Sequence, residues 1–110
     1  MNFYLGDPIS GIKISDKSVE FCDELIDYIY NISIDASQDL SELYNIDPYS
    51  DVEISISKVE EIVSICKYLL ESNLLSNYDD YHEAILQITD LMDIGKKAIK
   101  ERIGIISIGD

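Results

Sequence analysis

A mainly α fold, a compact bundle of three to four helices, is what this 110-residue chain predicts. Two stretches, 59–70 and 81–99, repeat apolar residues at helical spacing for three turns or more, and 19–32 does the same. The N- and C-terminal segments are left free to form a small β-pair. A length of 110 residues suits one domain, 1–110, that buries roughly two-thirds of its unfolded surface. Hydrophobic residues make up 46% of the chain, enough for it to fold.

Residues 3–15 read as an extended lead-in, punctuated by Gly6, Pro8 and Gly11, with Ile12 and Ile14 alternating around Lys13 as in a short strand. Ser15 or Asp16 then caps a helix of about four turns. Its stripe is Val19, Cys22, Leu25, Ile26, Ile29 and Ile32, with Glu20, Asp23, Glu24 and Asp27 on the other side. A shorter helix covers 37–44 and turns Leu40, Leu43 and Tyr44 inward. Asn45 to Asp51 follow as a loop, because Pro48 disfavours a helical Asp47 and Asp and Ser suit turns. Val52, Ile54 and Ile56 alternate with polar residues over a stretch too short to establish a strand.

Ser57-Lys58-Val59-Glu60 matches a capping box and opens the next helix, whose stripe is Val59, Ile62, Val63, Cys66, Leu69 and Leu70. Asn73 to Asn77 break it. A longer helix starts at Tyr78 and buries Tyr81, Ala84, Ile85, Ile88, Leu91, Met92, Ala98 and Ile99. Gly95 falls on that stripe, where it permits a close helix approach at a propensity loss of about 1 kcal/mol. The apolar segment from Ile103 docks on the body and pairs with the lead-in around Ile12 and Ile14.

Charge is the outstanding compositional feature: 22 acids against eight cations, a net −14. Such a field repels nucleic acid and anionic membranes and speeds association with basic partners. It exceeds the roughly 2–8 charges that keep a small domain soluble. The cations Lys96, Lys97, Lys100 and Arg102 cluster near one helix end, where they favour the dipole. The N-terminus has neither a basic flank nor an apolar run, so a signal peptide or membrane anchor is not expected and a cytoplasmic location is. Cys22 and Cys66 lack any CxxC or Cys/His pattern and read as buried, reduced thiols.

Catalysis finds little support, and neither a cofactor nor a metal site is expected. His82, the single histidine, sits in Asp79-Asp80-Tyr81-His82-Glu83. If Tyr81 faces the core, His82 points about 100° away, which spoils a metal site. Asp47, Asp51 and Glu53 cluster oxygen ligands without the glycine of a calcium loop. No P-loop or dinucleotide-binding glycine motif occurs.

The better constellation is acidic and aromatic. Tyr44, Asp47, Tyr49, Asp51 and Glu53 crowd one short stretch, and Tyr28 and Tyr30 add rings near the end of the first helix. Tyrosines supply large rigid contact area, and carboxylates pair with arginine or lysine on a partner. The competing reading is that Tyr44 and Tyr49 pin the loop to the core. Asp23, Asp27, Asp79 and Asp80 form alternative acidic patches.

Ile46-Asp47-Pro48-Tyr49-Ser50-Asp51, with Leu43 before it and a helix after it, resembles a segment of small uncharacterised bacterial proteins. Those proteins carry glycine where Ser50 stands, and their closing Gly-Asp resembles Gly109-Asp110. The overall build resembles small acidic immunity proteins that protect bacteria from their own toxins. That resemblance implies a cytoplasmic protein that binds a basic toxin domain, with a nuclease as one candidate, and blocks its active site or substrate groove. Two alternatives stay open: a nucleic-acid mimic of anti-restriction or anti-CRISPR type, and a non-catalytic assembly domain that forms a homo-oligomer.

Overall fold

Residues near the two ends of the chain, Asn2–Asp7 and Ile105–Ile108, pair antiparallel with each other. The computed structural model describes residues 1–7, 11–12, 18–47 and 49–109. In chain order its elements are β1 (Asn2–Asp7), β2 (Gly11–Ile12), β3 (Val19–Glu20), α1 (Asp23–Ile32), a 3-10 turn (Ser33–Asp35) and α2 (Ser41–Tyr44). After these come β4 (Val52–Ile54), α3 (Ile56–Glu71), α4 (Tyr81–Glu101) and β5 (Ile105–Ile108). The sheet runs β2-β1-β5-β4, and β3 pairs with the start of β1 on the edge that β2 uses further along. All the pairings are antiparallel.

The architecture is therefore α+β, helices packed on an antiparallel sheet, and not the mainly helical bundle expected. The strands carry a period of two in segments too short to stand out beside the helical stripes. Phe3 and Leu5 are buried while Tyr4 between them is half-buried, and β5 repeats this with Ile105 and Ser107 buried between Ile106 and Ile108. The C-terminal segment does dock, but its partner is residues 2–5 and not the region of Ile12, which pairs instead with Gly6. Ile14, Pro8, Pro48, Asp110 and the helix cap at Ser15 or Asp16 lie outside the described residues.

The first helix is shorter than its stripe suggested. Val19 belongs to β3, opposite Phe3, and α1 begins only at Asp23. A helix through Val19 and Cys22 would leave Phe21 off the apolar face. The structure instead buries that ring completely, edge-on to Phe3 with centroids 6.2 Å apart. Burial of each such side chain is worth about 1.5–3 kcal/mol, which outweighs a turn of helix. Gln87 in α4, itself buried, accepts the Cys22 amide at 2.9 Å and so completes the helix start.

The other boundaries shift for similar reasons. The helix expected over 37–44 is a single turn, Ser41–Tyr44. The Ser57 capping box does not form: α3 starts at Ile56 with Ser55 as its cap residue, and the Ser55 hydroxyl lies 3.2 Å from that of Ser57. Val52–Ile54 does form a strand, because β5 supplies its partner. α4 starts at Tyr81 and not Tyr78, and Tyr81 is 40% exposed where it was expected to face the core. The inward aromatic is Tyr78, which stacks edge-on against Tyr28 at 4.9 Å.

α3 and α4 pack side by side, and Gly95 lies at their closest approach. A Cβ there would sit 2.5 Å from Cγ2 of Val63. The core is continuous from the inner sheet face, Phe3, Leu5, Ile54 and Ile105, to the buried residues of α1, α3 and α4. Among the described residues, no helix is long and apolar enough to cross a membrane.

Candidate functional site

Tyr49 and Ser50 are held by the side chain of Asp47. Asp47 accepts the Tyr49 amide through Oδ1 and the Ser50 hydroxyl through Oδ2, both at 2.9 Å, which closes an Asx-type turn. Those two bonds, the Tyr49 amide first, hold the Asp47 carboxyl below its ordinary pKa. Ser50 does not need to be glycine here, since among the described residues the only non-glycine with positive φ is Arg102. Its hydroxyl instead adds a bond that glycine lacks.

The C-terminal strand braces the turn from the other side. Gly109 donates its amide to Oδ1 of Asp51 at 3.3 Å. A Cβ on Gly109 would lie 2.6 Å from the Tyr49 carbonyl carbon and 2.8 Å from the Ser50 carbonyl oxygen, so only glycine permits this approach. The two segments that carried the resemblance, 46–51 and the closing glycine, thus touch in space.

Tyr49 is left outside this bracing, 74% exposed. It does not pin the loop to the core. Tyr44 behaves differently: it is half-buried and packs edge-on against Tyr30 at 5.1 Å. Tyr30 keeps 60% of its surface exposed, so this pair retains contact area. Tyr28 is turned to structural work, donating to the Leu74 carbonyl at 3.3 Å. Glu53 is exposed in the middle of β4, opposite Ile106.

The alternative acidic patches gather elsewhere. Asp27, Asp79 and Asp80 are exposed, whereas Asp23 is half-buried and its Oδ1 is buried without a partner. Burial, the contact with Cys22, and the nearby charges of Glu24 and Asp80 push the Tyr78 hydroxyl up to about 12. Glu24 in the first turn of α1 and Asp80 at the start of α4 therefore both lie near the Tyr78 hydroxyl. Cys22 is half-buried, not buried as expected, with its sulfur 4.0 Å from that hydroxyl. Cys66 is fully buried, and burial pushes its thiol up to about 12. His82 is exposed, its ring tilted against Tyr81.

One acidic feature escaped the sequence. Asp39, Glu42 and Glu61 line a shallow depression where α2 meets α3. Asp39 also accepts the Ser41 amide at 2.9 Å, which lowers its pKa. No local pattern signals this grouping, because Glu61 is joined to the other two only by helix packing. A neighbouring groove, about 260 Å³, runs between α2 and β4 over Ile46 and Ile62, and shares Glu42 with it.

The chain matches no family model, no curated protein and no solved structure. Its own geometry carries the functional argument.

Proposed function

We propose that this protein is an immunity-type inhibitor that binds a basic protein toxin in the cytoplasm and neutralises it by occupying its working surface. The observation that carries this reading is the exposed ring of Tyr49, presented on a turn fixed by carboxylates and flanked by Asp47, Asp51 and Glu53. A tyrosine held this way reaches a partner with little ordering entropy left to lose, and surrounding carboxylates pair with lysine or arginine. A toxin that grips phosphate chains presents such cations, so a nuclease is the favoured target class. The net charge of −14 adds steering. Inhibition is steric and electrostatic, with carboxylates standing where phosphates would lie.

Co-expression with the basic C-terminal domain of any secreted protein encoded beside this gene tests the reading. Protection of the cell and a stoichiometric, salt-sensitive complex are expected. Tyr49→Ala should weaken that complex at least tenfold, about 1.4 kcal/mol, with unchanged circular dichroism. Absence of any basic partner, with the chain self-associated, would move the assignment to an assembly role.

A further inference from the structure

The backbone parity of the sheet exposes a docking edge. Gly6 donates to the Gly104 carbonyl at 3.1 Å, which makes Gly6 and Gly104 a hydrogen-bonded pair. Antiparallel ladders alternate, so Tyr4–Ile106 and Asn2–Ile108 are bonded pairs too, and Ile105 and Ser107 turn their backbone groups towards β4. Those two residues face Ile54 and Val52. The N–H and C=O of Glu53 therefore point away from β5, at the outer edge of the sheet.

A groove over Ile46 and Ile62 opens beside that edge and separates it from α2. The Glu53 side chain lies on the opposite, outer face with Ile106, while Val52 and Ile54 share the inner face with Ile105. An added strand would alternate in the same way, with one side chain beside Glu53 and its neighbours over the groove. Glu42 edges the groove, with Lys58 as the cation in its lining, and Glu53 carries its carboxylate on the outer face of the same strand. Asp51 adds a further carboxylate at the start of β4.

We propose that β4 accepts an extended basic segment of the partner as an additional strand, paired to the backbone of Glu53. This rests on the functional reading above and specifies how the partner is held. Charge selects the occupant: a second copy paired at this edge would bring another Glu53 towards the first, whereas a strand alternating lysine with apolar residues puts a cation there and an apolar side chain in the groove.

The probe is an eight-residue blocked peptide alternating valine and lysine, set against a valine–glutamate peptide and a copy N-methylated on alternate residues. Binding of the lysine peptide should slow hydrogen exchange of the Glu53 amide at least tenfold. The glutamate and N-methylated peptides should not bind. Glu53→Pro should abolish binding while keeping the fold, because its amide is outside the β5 ladder and proline is tolerated at such edges. Glu53→Gln should bind more weakly than the parent. Peptide binding without protection of Glu53, equal binding of the N-methylated copy, or no binding at millimolar peptide overturns the proposal. A toxin bound equally by the parent and by a folded Glu53→Pro overturns it as well, and leaves the immunity reading intact. A protected Glu53 with no basic partner in the cell upholds the edge and sinks the immunity reading.

Discussion

The carboxylate of Asp51 accepts the amide of Gly109 at 3.3 Å, joining the end of the last strand to the turn that presents Tyr49. The bond is exposed, so its loss should be mild. Asp51→Ala should lower stability by less than about 1 kcal/mol, and Asp51→Asn, which keeps the acceptor, by less still. Gly109→Ala should do more, by about 1 kcal/mol or above, because its Cβ would enter the backbone of Tyr49 and Ser50. Denaturant unfolding of the three variants checks the order. If Asp51→Asn weakens the partner complex while stability holds, the charge itself contributes to recognition.

Gly95 and Val63 make a second testable pair. Alanine at position 95 should gain about 1 kcal/mol of helix propensity and lose about 1–3 kcal/mol to overpacking against Val63, a net destabilisation. Combining Gly95→Ala with Val63→Ala should recover part of that loss, with a coupling of at least about 0.5 kcal/mol. Strictly additive effects in urea melts would show that the helices simply move apart.

The alkaline limb of stability follows from two raised groups. Cys66 titrates near 9.0 when unfolded and about 12 when folded, and Tyr78 moves from 10.0 to about 12. Above pH 9 the unfolded chain therefore binds fewer protons than the folded one, and stability falls as pH rises. The contribution is fully present below the unfolded pKa and is lost on the way up to the folded one. Cys66→Ala should flatten the slope between pH 9 and 10, before Tyr78 joins, by up to about 1.4 kcal/mol per pH unit. An unchanged slope would mean that the thiol reaches water before unfolding.

Arg102 closes α4 in the left-handed region at φ 58°, with its amide donating to the Ile99 carbonyl at 3.2 Å. A side chain there is strained, and glycine is the favoured residue. Arg102→Gly should raise stability by about 0.5–1 kcal/mol, read as a higher midpoint in thermal melts.

The long helices were legible because one face repeats over many turns: the buried residues Val59, Ile62, Cys66 and Leu69, and Ala84, Ile88, Leu91 and Ala98, were all expected inside. The sheet was not legible, because its strands have between two and six residues. A strand that short declares itself only through a partner, and the partner of Asn2–Leu5 lies at the far end of the chain. Val19 misled for the complementary reason, since its spacing to Cys22 and Leu25 mimicked a helix while the unassigned Phe21 held the contrary information. Within the site, the turn at Asp47 was readable from Asp and Ser. The touch between Ser50 and Gly109 was not, because it depends on the strand order.

Asn2 lies opposite Ile108, and β5 sits between β1 and β4, so the centre of the sheet joins segments far apart in sequence. The helical pair α3–α4 joins through a short connection and can collapse early, whereas the strands must await a loop closure that spans almost the whole chain. Folding should therefore be slower than the helical content implies, with the Tyr49 turn and the Glu53 edge completed in the final step. Up to that step, the chain has its helices but not yet the surface proposed to recognise a partner.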